Sequence, residues 1–192
     1  MNIALDMGTL FRVSALLFLL MSMMTWMMLG RPRRGATLLW CSGGVLVGVS
    51  VWLISLRGQI SDFWSYGVAQ TAYLGSFLVL AQSLRMDMQR AWRWPWLAAA
   101  LLAYAAVIVL GFDDKGSQEL AVLVRLVNCV GLSILTASAL MLAHQERSRN
   151  AWFMTIGYGL MTASMGLAAL ATVQGQANLQ TMQNSVFSHI LG

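Results

Sequence analysis

Long apolar runs separated by short polar segments account for most of the chain. The first run covers residues 10–29 and stops at Gly30-Arg31-Pro32-Arg33-Arg34. The second covers 36–56 and is followed by Arg57-Gly58-Gln59-Ile60-Ser61-Asp62, where Ser61 or Asp62 is placed to cap the next helix. Further runs fall near 64–84, 94–112, 119–143 and 151–173. Pro95 lies in the first turn of the fourth, where a missing N–H costs nothing. Each run has close to the ~20 mostly apolar residues that a membrane-spanning α-helix needs. After the polar stretch 174–184, residues 185–192 turn apolar again and read as the opening turns of a seventh helix. The expected fold is all-α. It is a single membrane-embedded domain over residues 1–192, a polytopic transmembrane bundle of six complete helices plus the start of a seventh.

Composition sharpens this reading. Of the 192 residues, 58 % are hydrophobic and 10 % charged, and the mean hydropathy is +0.68. A soluble domain carries about 25 % charged residues, so these charges cannot coat a water-facing globule. A soluble enzyme, a disordered chain and a disulfide scaffold are excluded. Cys41 and Cys129 both fall inside apolar runs and read as small buried hydrophobes. The net charge of +5 describes topology and lipid contact, and nucleic acid is not an expected partner.

The positive charge is unevenly placed. Loops after the first, third and fifth runs carry Arg31, Arg33, Arg34, Arg85, Arg90, Arg93, Arg147 and Arg149. Those after the second and fourth carry only Arg57 and Lys115. Short loops rich in Lys and Arg stay in the cytoplasm. The bias therefore predicts an N-terminus outside. The first basic cluster follows the first apolar run, the reverse of a signal peptide, so that run is a retained helix.

Few side chains are equipped for chemistry. Arg125 is the charge lying well inside an apolar run, and Asn128 follows three residues later on the same side of the helix. An intramembrane charge is a functional-site hypothesis by default, so Arg125 and Asn128 are the candidate ligand-binding residues. The competing reading has Arg125 snorkelling to the headgroups. On the first reading Asn128 pairs with hydroxyls such as Thr162 or Ser164. Arg12 lies within a turn of a helix end, where snorkelling suffices.

Gly44-Val45-Leu46-Val47-Gly48 is a GxxxG pattern, and Gly157, Gly159, Ala163 and Gly166 mark a second small-residue face. Gly44, Gly48, Gly159 and Ala163 are the candidate helix-packing residues, and such contacts also offer a route to a homodimer. Met21, Met23, Met24, Met27 and Met28 crowd the first helix as adaptable apolar filler. A Cu(I) site would bring Cys or His to the same depth, but His144 and His189 lie outside the runs and on opposite sides. That separation also argues against bis-histidine haem, so no cofactor or metal is expected. Tryptophans, including Trp92, Trp94, Trp96 and Trp152, collect at the run ends as an interfacial belt. No GxSxG, HExxH, P-loop or dinucleotide fingerprint occurs, and no catalytic residue is expected.

The segments Leu5-Asp6-Met7-Gly8-Thr9-Leu10, Leu56-Arg57-Gly58-Gln59-Ile60-Ser61-Asp62 and Gln70-Thr71-Ala72-Tyr73-Leu74-Gly75 resemble the multi-pass sensory regions that precede GGDEF diguanylate cyclase domains in bacterial proteins. The resemblance is strongest over residues 5–90 and is a match of hydropathy beyond. It implies a seven-helix input module in the bacterial inner membrane, with a last helix coupled to a cyclase making cyclic di-GMP. The chain contains no Gly-Gly-Asp-Glu-Phe sequence, so the output domain is expected to be missing or on another polypeptide. The expected function is a signal-input module in the lipid bilayer without catalysis of its own. A small multi-pass transporter or channel-like protein is the alternative, but its paired broken helices and midplane carboxylates are not evident.

Overall fold

The computed structural model describes residues 7–28, 35–61, 63–111, 118–147 and 149–173. They form six α-helices: α1 (Met7–Met28), α2 (Ala36–Ser55), α3 (Ala69–Asp87), α4 (Trp94–Gly111), α5 (Gln118–Glu146) and α6 (Arg149–Val173). A π-helical turn, Phe63–Val68, opens α3. The chain is an all-α helical bundle. The apolar segment 185–192 lies outside the described residues.

Five helices are long and apolar enough to cross a bilayer: α1, α2, α4, α5 and α6. Their outward faces agree with that. Met28 on α1 is 82 % exposed and Leu110 on α4 is 85 % exposed, and α6 turns Phe153, Leu160 and Leu167 outward. Faces of this kind aggregate in water and match hydrocarbon. The methionines of α1 belong to them: Met21, Met23, Met24, Met27 and Met28 all point outward, so they fill no protein core.

α3 is different. It carries Gln70, Thr71, Ser76, Gln82 and Ser83 among its apolar residues, and its hydropathy is lower for that reason. It exposes no large hydrophobic side chain between Ala69 and Asp87. The helix packs against α2, α4 and α5, while α1 lies on the far side of α2 and α6 packs on α5. Phe77, Leu80, Ala81 and Leu84 of α3, with Met88 just after it, meet Val47 from α2 and Leu132, Leu135, Ala139 and Leu142 from α5 in the main core. A second cluster joins Leu74 and Leu78 to Leu97, Tyr104 and Ile108 of α4.

Close approach at α2 depends on glycine, on two faces. A methyl group at Gly43 would stand 2.7 Å from Leu80 Cγ of α3. On the other face, one at Gly48 would stand 2.7 Å from Leu19 Cγ and 3.1 Å from the Ala15 carbonyl oxygen, and one at Gly44 would collide with Ser22. The GxxxG face is thus occupied within the chain, by α1.

The start of α2, the α3–α4 loop and the end of α5 lie at one end of the bundle. Ser83 Oγ of α3 donates to the Ala36 carbonyl at the start of α2 (2.7 Å), and Arg85 Nε donates to Ser138 Oγ of α5 (3.2 Å). Two helices end there with a non-glycine residue in the left-handed region, Gln89 (φ 57°) and Arg147 (φ 50°). The Arg90 N–H donates to the Arg85 carbonyl and the Gln89 N–H to the Met86 carbonyl, which is a Schellman motif closing α3. The Arg147 N–H donates to the Ala143 carbonyl, the simpler left-handed cap, closing α5.

This packing makes opposite demands on two glycines. Gly48→Ala is expected to destabilise the bundle by about 1–3 kcal/mol, because Ala15 is backbone and cannot give way. Among the described residues, Gly157 has nothing within 4 Å of its added methyl. Gly157→Ala should therefore raise stability by about 0.5–1 kcal/mol through helix propensity alone. Thermal unfolding in one detergent, read by circular dichroism, checks both; equal shifts would remove the assignment of α1 to the glycine face.

Candidate functional site

α3 carries a polar group near each of its ends. Close to its start, Gln70 Oε1 accepts a hydrogen bond from Asn128 Nδ2 of α5 at 2.9 Å. Asn128 is only 3 % exposed, and among the described residues its Oδ1 has no hydrogen-bond partner. Tyr104 of α4, 6 % exposed, stands beside Asn128, and among the described residues its hydroxyl also lacks a partner in hydrogen-bonding geometry. A phenol donates and an amide oxygen accepts, so these two atoms are complementary. Gln70, Tyr104 and Asn128 form one buried polar node joining α3, α4 and α5. A buried polar atom left unpaired is costly, so Tyr104 and Asn128 approach each other, and a polar ligand at the node competes with that approach.

Arg125 is not part of this node. Its Nη1 donates to the Ala168 carbonyl of α6 at 3.4 Å, a long bond by ordinary criteria. Asn128 turns instead toward α3 and α4. Residues three apart on a helix are offset by about 60° around its axis, and α5 is flanked by different helices on its two sides. That offset separates the two side chains that the sequence places together. The expected hydroxyl partners are engaged elsewhere: Thr162 Oγ1 lies 2.9 Å from Thr136 Oγ1, and Ser164 Oγ donates to the Met161 carbonyl. The small-residue face of α6 is looser than expected. Gly159 meets only Thr136 Cγ2, at 4.0 Å, and Ala163 is exposed.

At the other end of α3, Gln82 is 1 % exposed and grips the backbone of the α3–α4 loop. Its Nε2 donates to the Trp92 carbonyl and its Oε1 accepts from the Trp92 N–H, both at 2.9 Å. The Arg85 guanidinium lies over the Trp92 ring, 3.9 Å from its centroid. Cation–π contact and two hydrogen bonds thus fix one loop residue against two turns of α3. Beyond the start of α3, the Arg57 guanidinium covers the Tyr66 ring of the π-helical turn at 3.3 Å. Gly58, at φ +82°, supplies the left-handed residue that this tight loop requires.

The amides Gln70 and Gln82 and the phenol Tyr104 are the polar residues that sequence reasoning missed. An amide within an apolar run is a signal of inter-helix bonding. No family model, curated protein or solved structure matches the chain.

The Gln70–Asn128 bond predicts measurable coupling. In a double-mutant cycle of Gln70→Leu and Asn128→Leu, unfolding in detergent should return an interaction energy of about 0.6–1.7 kcal/mol, the range of such bonds between membrane helices. Strict additivity would place the two amides out of contact.

Proposed function

We propose that this chain is a membrane signal-input module that reads a small polar ligand at the Gln70–Tyr104–Asn128 node and passes the change along α3. One observation carries this reading: a single buried helix bears the unsatisfied polar node near one end and the Gln82–Arg85 hold on the opposite loop. The two lie roughly 20 Å apart at the helical rise. A ligand that gives a donor to Asn128 Oδ1 and an acceptor to Tyr104 Oη competes with the present arrangement. Because α3 packs on three neighbours, its displacement moves the loop it grips. The output acted on is a cytoplasmic domain such as a diguanylate cyclase, as the sequence resemblance implies.

The loops bearing Arg85, Arg90, Arg93, Arg147 and Arg149 lie in the cytoplasm on this reading, and the N-terminus lies outside, in the bacterial inner membrane. Support comes from the clustering of these arginines at one end and from the positive-inside rule. In a background of Cys41→Ala and Cys129→Ala, an impermeant thiol reagent applied to intact cells should label Gln59→Cys and spare Arg93→Cys. The opposite pattern reverses the orientation.

The signalling claim is tested by continuing the chain through a generic apolar helix into a diguanylate cyclase catalytic domain. Asn128→Leu should change cyclic di-GMP per molecule of protein by about fivefold or more, the usual scale of coupling between sites. Unchanged output at equal protein level would separate the node from signalling.

A further inference from the structure

At the arginine-rich end, a recess of about 560 Å³ opens between the end of α3 and the last turns of α5. Met88, Arg90, Leu140, Met141, His144 and Gln145 line it. Met88 is buried and forms the apolar floor, while Leu140 and Met141 face outward from α5 as exposed hydrophobic side chains. Arg90, His144 and Gln145 form the polar rim, and among the described residues no acidic side chain lines the recess. Among the described residues, the Arg90 side chain has no hydrogen bond or ion pair. Its backbone is fixed all the same, because the Arg90 N–H closes the Schellman motif behind Gln89.

Depth and polarity point to one kind of occupant. Trp92 follows Arg90 in the same loop, and Trp152 meets His144 edge-on at 5.1 Å. Tryptophans of this kind mark the membrane interface. Capping N–H groups take up the Arg85, Met86 and Ala143 carbonyls at the helix ends, which leaves fewer bare carbonyls facing an anion. A lipid phosphate is an anion that arrives at this depth with apolar chains attached. A zwitterionic headgroup would bring its ammonium beside Arg90 with no carboxylate to receive it. An anionic headgroup meets no such penalty.

We propose that this recess is a binding site for an anionic phospholipid, with the phosphate on Arg90, the headgroup hydroxyls at His144 and Gln145, and an acyl chain along Leu140 and Met141. The site stands apart from the signalling reading and holds whichever ligand the node takes. The arginine acts here as an exposed cation whose backbone is fixed at the recess. It contributes more than its share of a diffuse positive surface.

Native mass spectrometry of the full chain, titrated in detergent with phosphatidylglycerol or phosphatidylcholine, tests this. Phosphatidylglycerol should bind more tightly, and Arg90→Gln should weaken it about fivefold, the effect of one basic residue at an anionic surface. Arg93→Gln removes the same charge from an exposed position outside the recess and should leave that affinity unchanged. Equal losses from the two variants, or equal affinity for the two lipids, would overturn the site.

Discussion

The arrangement depends on keeping α3 out of lipid. A helix with Gln70, Ser76, Gln82, Ser83 and Arg85 along its length cannot face hydrocarbon, where each unpaired polar group costs several kcal/mol by order of magnitude. Its neighbours meet that demand one group at a time. Asn128 bonds Gln70, the Trp92 backbone satisfies Gln82, the Ala36 carbonyl receives Ser83, and Ser138 receives Arg85. Ser76 turns back to the Tyr73 carbonyl of its own helix. The order of packing follows: α2 and α5 lie against α3, and α1 and α6 cover their outer sides.

The same constraint sets where function can reside. Three of the five apolar helices, α1, α4 and α6, are mostly outward-facing, and their surfaces offer lipid a match and little else. Most polar contacts between helices lie in the seams of α3, with Thr136–Thr162 and Arg125–Ala168 in the α5–α6 seam. Near the start of α3 the polar atoms are not all satisfied, whereas near its end they are doubly held. That asymmetry makes one end adaptable and the other firm, which suits a helix that receives a change and delivers it to a fixed loop.

The helical plan was legible because period and length act locally. An apolar run of about 20 residues has few alternatives in lipid, and both ends of most runs carry their own stops, such as Pro95 after Trp94 and the basic segments. The third run shows where that logic thins. Its residues build the central helix, and a helix buried by protein needs less hydropathy than one buried by lipid, so α3 falls outside the five apolar enough to span by composition. Partners were not legible. Gly44 and Gly48 announced a close approach without saying that α1 makes it. Arg125 and Asn128 share a stretch of sequence, but the side-chain offset sends one to α6 and the other to α3. Tyr104 is one aromatic among many in the sequence, and only the packing of the helices brings it beside Asn128.

Central burial of α3 is open to direct measurement. Nitroxide labels introduced singly along residues 74–84 of α3 and 16–28 of α1, in lipid nanodiscs, report collision with dissolved oxygen from the bilayer and with a water-soluble nickel chelate. The account predicts low values of both along all of α3, and an oxygen maximum recurring every three to four residues along α1. An oxygen-accessible stripe on α3 as strong as that on α1 would contradict it, because it would put this polar helix against lipid.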